Sequence, residues 1–324
     1  MNLPLLDPDE YPAPIAVITG GWSSERERSL VSGHAVLESL DRQNVKAKAI
    51  DLDVRAALAE GLSEVHIAFL AIAGRGAEDG RLQGALETLG IDYTGSGVLS
   101  SALAMNKPVA KAIVQAAGVR VPAGSVVDPT RGAQFEADRL AWLLGFPVIV
   151  KPTNEGGSIG LTVARDVTRL AMTINVATPS RDLMVEEFCP GRSVSVGVLE
   201  YPDGSLRVFP PLEVDTSGEI YSYETKRRSG GVTYHCPARL TLPLVQSLAR
   251  QAALAHRALH CHSVSRHDFV VTEDSGVFWL EANTLPGLSP DGNLARMAAA
   301  AGVTYDQLVA HIARGAHTDR RARP

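Results

Sequence analysis

The chain has 324 residues, 45% of them hydrophobic and 21% charged, and its formal net charge is −5. Its length corresponds to about two or three domain lengths with ample material for buried cores. The mild acidity argues against a nucleic-acid or anionic-membrane partner. Three dispersed cysteines (Cys189, Cys236, Cys261) without C-x-x-C spacing argue against a disulfide framework.

Residues 1–14 lack the basic and apolar regions of a signal peptide, and no apolar run is long enough to span a bilayer, so a cytoplasmic protein is expected. Residues 15–19 form an apolar strand ending at Gly20-Gly21. Ser24-x-x-Glu27 has capping-box form and predicts a helix with Leu30, Val31, Val36, Leu37 and Leu40 on its apolar side. Residues 47–52 and 65–72 read as strands, 78–89 as a helix and 91–94 as a strand. This alternation implies a parallel, doubly wound first layer to about residue 106.

A second unit begins at Lys107, with a helix over 108–117, a turn at 122–124 and a helix ending over 139–144. A strand at 148–152 leads into a glycine-rich loop, and a strand at 183–187 closes the unit. The third unit has strands at 193–199 and 206–214, a polar loop over 216–233 and a helix over 244–259. Two strands follow, at 265–271 and 278–284, joined by the turn-forming Thr272-Glu273-Asp274-Ser275-Gly276, and terminal helices occupy 294–301 and 305–313.

The last strand pair carries the strongest chemical signal. Side chains alternate faces along a strand, so Arg266 and Asp268 share a face, as do Glu281 and Asn283. One surface then offers three oxygen ligands and a guanidinium, which suits magnesium with phosphate oxygens completing its shell. In the loop Lys151-Pro152-Thr153-Asn154-Glu155-Gly156-Gly157-Ser158-Ile159-Gly160, glycines let backbone N–H groups approach an anion. Ser158 adds a hydroxyl, and Lys151 adds a point charge for phosphate. No Lys follows Gly160, so this is not a Walker A loop. Glu186-Glu187-Phe188-Cys189, at a strand end, has the form of an adenine-reading segment. His256 and His260 are spaced i,i+4, but Arg257 stands where a zinc helix carries Glu, and there is no G-x-S-x-G.

With Lys107, Lys151 and its glycine loop, Glu186, Asp268 and Glu281-x-Asn283 in this order, the chain resembles the ATP-grasp enzymes. Over nearly its whole length it resembles the D-alanine–D-alanine ligases. The matching segments are Gly20-Gly21-Trp22-Ser23-Ser24-Glu25-Arg26-Glu27, Gly74-Arg75-Gly76-Ala77-Glu78-Asp79-Gly80 with Leu82-Gln83-Gly84, Tyr93-Thr94-Gly95-Ser96-Gly97, Tyr223-Glu224-Thr225-Lys226 and Glu281-Ala282-Asn283-Thr284-Leu285-Pro286-Gly287.

The resemblance implies a three-part α/β ATP-grasp architecture with a doubly wound N-terminal domain at 1–106, a central domain at 107–190 and a C-terminal domain at 191–324. It implies ATP and magnesium, with manganese as the alternative ion, small amino-acid substrates and a homodimer. Lys107, Lys151, Gly156, Gly157 and Ser158 would hold phosphates, with Lys226 at the γ-phosphate. Glu186, Glu187 and Cys189 would meet adenine, and Asp268, Glu281 and Asn283 the metal. Arg266 and the Gly287 N–H would stabilise an oxyanion. Glu25 would receive the first substrate's ammonium, and Asn293 and Leu294 the second substrate's carboxylate.

The departures from the family pattern gather in the amino-acid pocket. Ala73 replaces an imidazole, Gly157 a serine, Arg227 a tyrosine, and Asn293 stands where a hydroxyl is expected. Arg192-Ser193 stands where a ribose-binding acid is expected. Two explanations are open: Arg227 pairs directly with Glu25, rebuilding the loop closure, or the pocket is retuned for another substrate. The functional alternatives are a related ligase for a different amino acid or small acid in specialised metabolism, and a non-catalytic nucleotide-binding protein. The oxyanion residue Arg266 speaks against the latter.

Overall fold

The computed structural model describes residues 3–52, 62, 65–156, 159–177, 182–216 and 232–317. The first apolar run forms β1 (Ile15–Gly20), and all six of its residues are buried. A strand buried on both faces needs cover on both sides, which crossover helices provide in parallel sheets. β1, β2 (Ala47–Leu52), β3 (Ile67–Leu70) and β4 (Asp92–Tyr93) lie parallel in the order β2-β1-β3-β4. Val36 and Leu40 of α1 (Arg26–Arg42) join Ile15 and Val17 on one face. Leu82 and Leu86 of α2 (Arg81–Leu89) join Ala16 and Ile18 on the other. The doubly wound first layer is thus present.

Local expectations change within it. Glu25 caps α1 without a side-chain hydrogen bond, so the Ser24 capping box is not formed. Ser23 does the polar work instead: its Oγ accepts from the Glu25 N–H at 3.2 Å and donates to the Ala73 carbonyl at 2.9 Å. The buried face of α1 is built largely of Ser29, Ser32, Gly33, Ala35 and Ser39, while Leu30 and Val31 stay exposed. Gly80, at φ 91°, delays α2 to Arg81. Glu78 therefore lies in the loop before the helix.

The second sheet is antiparallel, with β5 (Gly124–Val126), β6 (Val148–Pro152), β7 (Thr162–Ala164) and β8 (Leu183–Glu187) in the order β5-β8-β6-β7. Between the first two sheets the chain forms α3 (Val98–Met105) and α4 (Lys107–Ala116). Ala137 and Leu140 of α5 (Ala133–Leu144) and Leu170 and Ile174 of α6 (Val167–Ala177) cover Val148, Val150 and Val185 of this sheet.

The third sheet holds β9 (Gly191–Glu200), β10 (Leu206–Val208), β11 (Leu212–Thr216), β12 (Val232–His235), β13 (Val264–Thr272) and β14 (Val277–Asn283) in the order β12-β11-β9-β13-β14, with β10 beside β9. The single strand expected over 206–214 is two strands, because Pro210 and Pro211 have no N–H for a ladder. Ala110 and Val114 of α4 pack on Val194, Val196 and Trp279 together with α7 (Leu242–Ala258). The helix expected to open the central unit therefore seats on the third sheet. α8 (Asn293–Ala300) and α9 (Tyr305–Arg314) return to the first sheet, where Met297, Leu308 and Ile312 share a core with Val17 and Val36.

Candidate active site

β13 and β14 pair antiparallel, with Arg266 opposite Asn283 and Asp268 opposite Glu281; a bulge follows Asp268. Arg266 donates to both oxygens of Asp268, at 2.9 and 2.8 Å, and Ser195 of β9 donates to the same carboxylate at 2.6 Å. Burial opposes the charge of Arg266, but Asp268 and then Glu281 and Glu78 outweigh it and raise its pKa. Glu281 faces Lys107 Nζ at 3.4 Å, and Asn283 Oδ1 accepts from the Leu285 N–H at 2.9 Å.

Lys107 opens α4, where its Nζ also donates to the Glu155 carbonyl and its backbone N–H donates to the Thr153 carbonyl at 3.0 Å. These bonds hold the glycine-rich loop against the head of the helix. Lys151, on β6, pairs with Glu186 of β8 at 2.6 Å. Lys111, one turn after Lys107, approaches the other Glu186 oxygen at 2.9 Å, an ion contact without hydrogen-bond alignment. Burial raises the Glu186 pKa, yet Lys151 and Lys111 more than offset it and the pKa ends lowered. Lys111 is pushed down to about 8, by burial first and by Lys151 second. The sequence reading passed over Lys111; its signal is the i,i+4 spacing from Lys107.

Between the three sheets lies a cleft of about 580 Å³ whose walls include Glu25, Lys107, Lys151, Gly156, Glu187, Cys189, Arg266, Asp268, Glu281, Asn283, Gly287 and Asn293. Two expected residues are not on these walls. Glu186 is buried as the counter-ion of two lysines. Leu294 sends its side chain into the core beside Met297. Its backbone N–H, in the first turn of α8 where such groups have no intrahelical acceptor, is what it retains for a ligand. Glu187 accepts from the Ala123 N–H at 3.0 Å. The half-buried Cys189 thiol is pushed up to about 11 by burial and then by Glu187, which leaves it a poor nucleophile. Gly157, Ser158, Lys226 and Arg227 lie outside the described residues.

The far end of the cleft is built around Glu25. Its Oε1 lies 3.6 Å from Arg28, one turn along α1, so a cation already faces this carboxylate. A Cβ on Gly156 would stand 3.1 Å from Glu25 Oε2 and 3.8 Å from an oxygen of Glu78, so the glycine loop approaches two carboxylates at once. Glu78 was not singled out in the sequence, although it lies in a matching segment.

Residues 113–314 match the model of the D-Ala D-Ala ligase C-terminus. The chain is 42% identical over 305 residues to the D-alanine–D-alanine ligase of Citrifermentans bemidjiense, covering 93% of this chain and 95% of that one. It belongs to the D-alanine–D-alanine ligase family. The ligase from Bacillus anthracis complexed with ATP superposes with a TM-score of 0.80 at 28% identity, over 94% of this chain and 96% of that one. The VanG D-Ala:D-Ser ligase from Enterococcus faecalis does so with a TM-score of 0.81 at 25% identity, over 93% and 98%. The expected α/β architecture and the expectation of an ATP-grasp ligase both hold, over the non-catalytic alternative.

ATP use and a divalent cation go with this family. Asp268, Glu281 and the Asn283 amide offer oxygen donors, the chemistry that suits magnesium. Among the described residues no group of three His, Cys, Asp or Glu is arranged for a metal, so a cation here would rely on phosphate oxygens for the rest of its shell.

Proposed function

We propose that this enzyme joins two D-alanine molecules, with ATP converted to ADP and phosphate, to supply the dipeptide for cell-wall synthesis. The observation that carries this reading is one continuous cleft. Lys107 and Lys151, the oxygen-donor hairpin, Arg266 and Glu25 all line it, in a chain 42% identical to a D-alanine–D-alanine ligase.

Lys107 and Lys151 hold the ATP phosphates, under the loop carrying Gly156, Gly157 and Ser158, while Glu187 and Cys189 border the adenine. A magnesium or manganese ion bound by Asp268, Glu281 and Asn283 would supply charge neutralisation between the phosphates. Glu25 receives the ammonium of the first D-alanine. The carboxylate of that first D-alanine takes the γ-phosphoryl group as ADP leaves, and the neutral amine of the second D-alanine attacks the acyl carbon and gives up a proton to solvent. A C–N bond forms and phosphate leaves with the acyl C–O bond electrons. Arg266 and the Gly287 N–H face the oxyanion that develops between these events, where preorganised donors contribute most. Asn293 and the Leu294 N–H meet the second carboxylate, and the family resemblance gives Lys226 to the γ-phosphate and Arg227 to the amino-acid pocket.

The division into 1–106, 107–190 and 191–324 is retained as the functional partition, one sheet to each part. A cytoplasmic homodimer acting on small amino acids completes the reading. The test is ADP release across a panel of D- and L-amino acids and small acids, with products identified by mass. Turnover with D-alanine alone supports the reading; turnover only with another pair overturns it.

A further inference from the structure

Glu25 is not the only carboxylate at the amino-acid end of the cleft. Glu78 lines it too and is 7% exposed. Its Oε2 accepts from the Gly74 N–H at 2.9 Å, while its Oε1 is buried and has no hydrogen-bond partner among the described residues. A buried carboxyl oxygen without a donor calls for a ligand that brings one. Gly156 beside it has no side chain to donate, the Gly74 N–H is already bonded to Oε2, and Arg266 acts on it only through charge, without a hydrogen bond. The charged groups facing Glu78 are Glu25 at the head of α1, Arg266 on β13 and Glu281 on β14. Arg28 occupies the Oε1 side of Glu25, which leaves Glu25 Oε2 toward Gly156 and Glu78.

We infer that Glu78 and Glu25 together form a two-carboxylate cradle for the ammonium group of the first amino acid. This rests on the reading of Glu25 as the ammonium site. An ammonium has three N–H donors and no acceptor, so one can meet Glu25 Oε2 while another meets the orphan Glu78 Oε1. Burial, and then the neighbouring Glu25, push the Glu78 pKa up to about 8, so the carboxyl is neutral at pH 7 in the free enzyme. An arriving ammonium favours the ionised form. The neutral carboxyl then gives its proton to solvent, and the resulting carboxylate pairs with the ammonium, whose own protons are retained. No bond to carbon changes, and nothing is oxidised or reduced.

Glu78→Gln is the informative variant. Its amide oxygen can still accept from Gly74, and it matches the neutral resting form, so the thermal midpoint at pH 7 is expected to stay unchanged. D-alanine is titrated calorimetrically without ATP, in buffers of different ionisation enthalpy. The wild-type enzyme should release the larger part of one proton per chain at pH 7, since the Glu78 carboxyl is raised to about 8. Its D-alanine affinity should rise with pH up to about 8.

Glu78→Gln should release none of this proton and bind D-alanine about 10- to 100-fold more weakly, the loss of a charged hydrogen bond, with ATP affinity unchanged. Undiminished D-alanine affinity in Glu78→Gln, or no proton release by the wild type, overturns the cradle while D-alanine-dependent ADP release leaves the ligase reading standing. If D-alanine neither binds nor drives ADP release, both fall together.

Discussion

Replacing Glu186 by Gln removes the shared counter-ion of two buried lysines without changing its size. Glu186 is 3% exposed, with Lys151 at 2.6 Å and Lys111 at 2.9 Å. Breaking a buried pair from one side costs about 3–5 kcal/mol, because an uncompensated charge remains. Here the cost has a ceiling, since Lys111 can give up its proton. Its pKa is already about 8, so becoming neutral at pH 7 adds only about 1.4 kcal/mol. The lost charged hydrogen bond to Lys151 adds about 1.5–3 kcal/mol. A destabilisation of about 3–4 kcal/mol is expected from urea unfolding at pH 7, with a raised KM for ATP and an unchanged KM for D-alanine.

The pH dependence has two signed parts. Glu186 has a lowered folded pKa, so its contribution is present above the unfolded carboxylate value of about 4.3 and is lost as pH falls through the folded value. Lys111 also has a lowered pKa, so between about 8 and 10.5 the unfolded chain binds more protons and stability rises with pH. In Glu186→Gln the lower edge of that window should move below 8. A variant within 1 kcal/mol of wild type, with unaltered KM for ATP, would refute the view that Glu186 aims the lysines.

Glu281→Gln should lower turnover about 100-fold or more and raise the magnesium concentration needed for half-maximal ADP release, because one oxygen donor loses its charge; full activity at low magnesium would remove Glu281 from the metal set. Ser265→Ala should cost about 1–3 kcal/mol in urea unfolding, since the buried Ser265 Oγ bridges His256 Nδ1 at 2.7 Å and His267 Nε2 at 2.9 Å. His267 is held neutral, by burial first and by His256 second, so the unfolded chain binds more protons below about 6.5. Wild-type stability should therefore rise with pH up to that value, and a flat profile would count against the neutral His267.

The active hairpin was readable because period-two alternation is strictly local: residues 266, 268, 281 and 283 declare a common face without knowledge of the rest of the chain. The apolar β1 and the helices around it were readable for the same reason. The ion pairs of Glu186 were not, because Lys111 is 75 residues away on a helix that seats on the third sheet. Glu78 was hidden by a single torsion, since Gly80 turned an expected helical residue into part of a cleft-lining loop. α6 passed unnoticed because Val167, Thr168, Thr173, Ile174 and Val176 carry weak helix propensity, and its buried Leu170 and Ile174 matter only against β6 and β8. The expected pairing of Arg227 with Glu25 lies outside the described residues; among those described, Arg28, three residues from Glu25, stands 3.6 Å from its carboxylate.

The two ends of the cleft differ in how their charges are satisfied. On the hairpin both expected metal-binding carboxylates already face a cation: Asp268 has Arg266, the expected oxyanion residue, and Glu281 has Lys107, an expected phosphate residue. A triphosphate arriving alone would compete with Glu281 for Lys107. A cation arriving alone would compete with Lys107 for Glu281. Arriving together they would exchange partners, phosphate to the lysine and cation to the carboxylates, which would keep both charges compensated. Toward Glu25, the Oε1 of Glu78 has no hydrogen-bond partner among the described residues, and on the proposed cradle the ligand supplies it. Nucleotide affinity should therefore depend on the bound cation, and amino-acid affinity on pH, from two carboxylate pairs in one cleft.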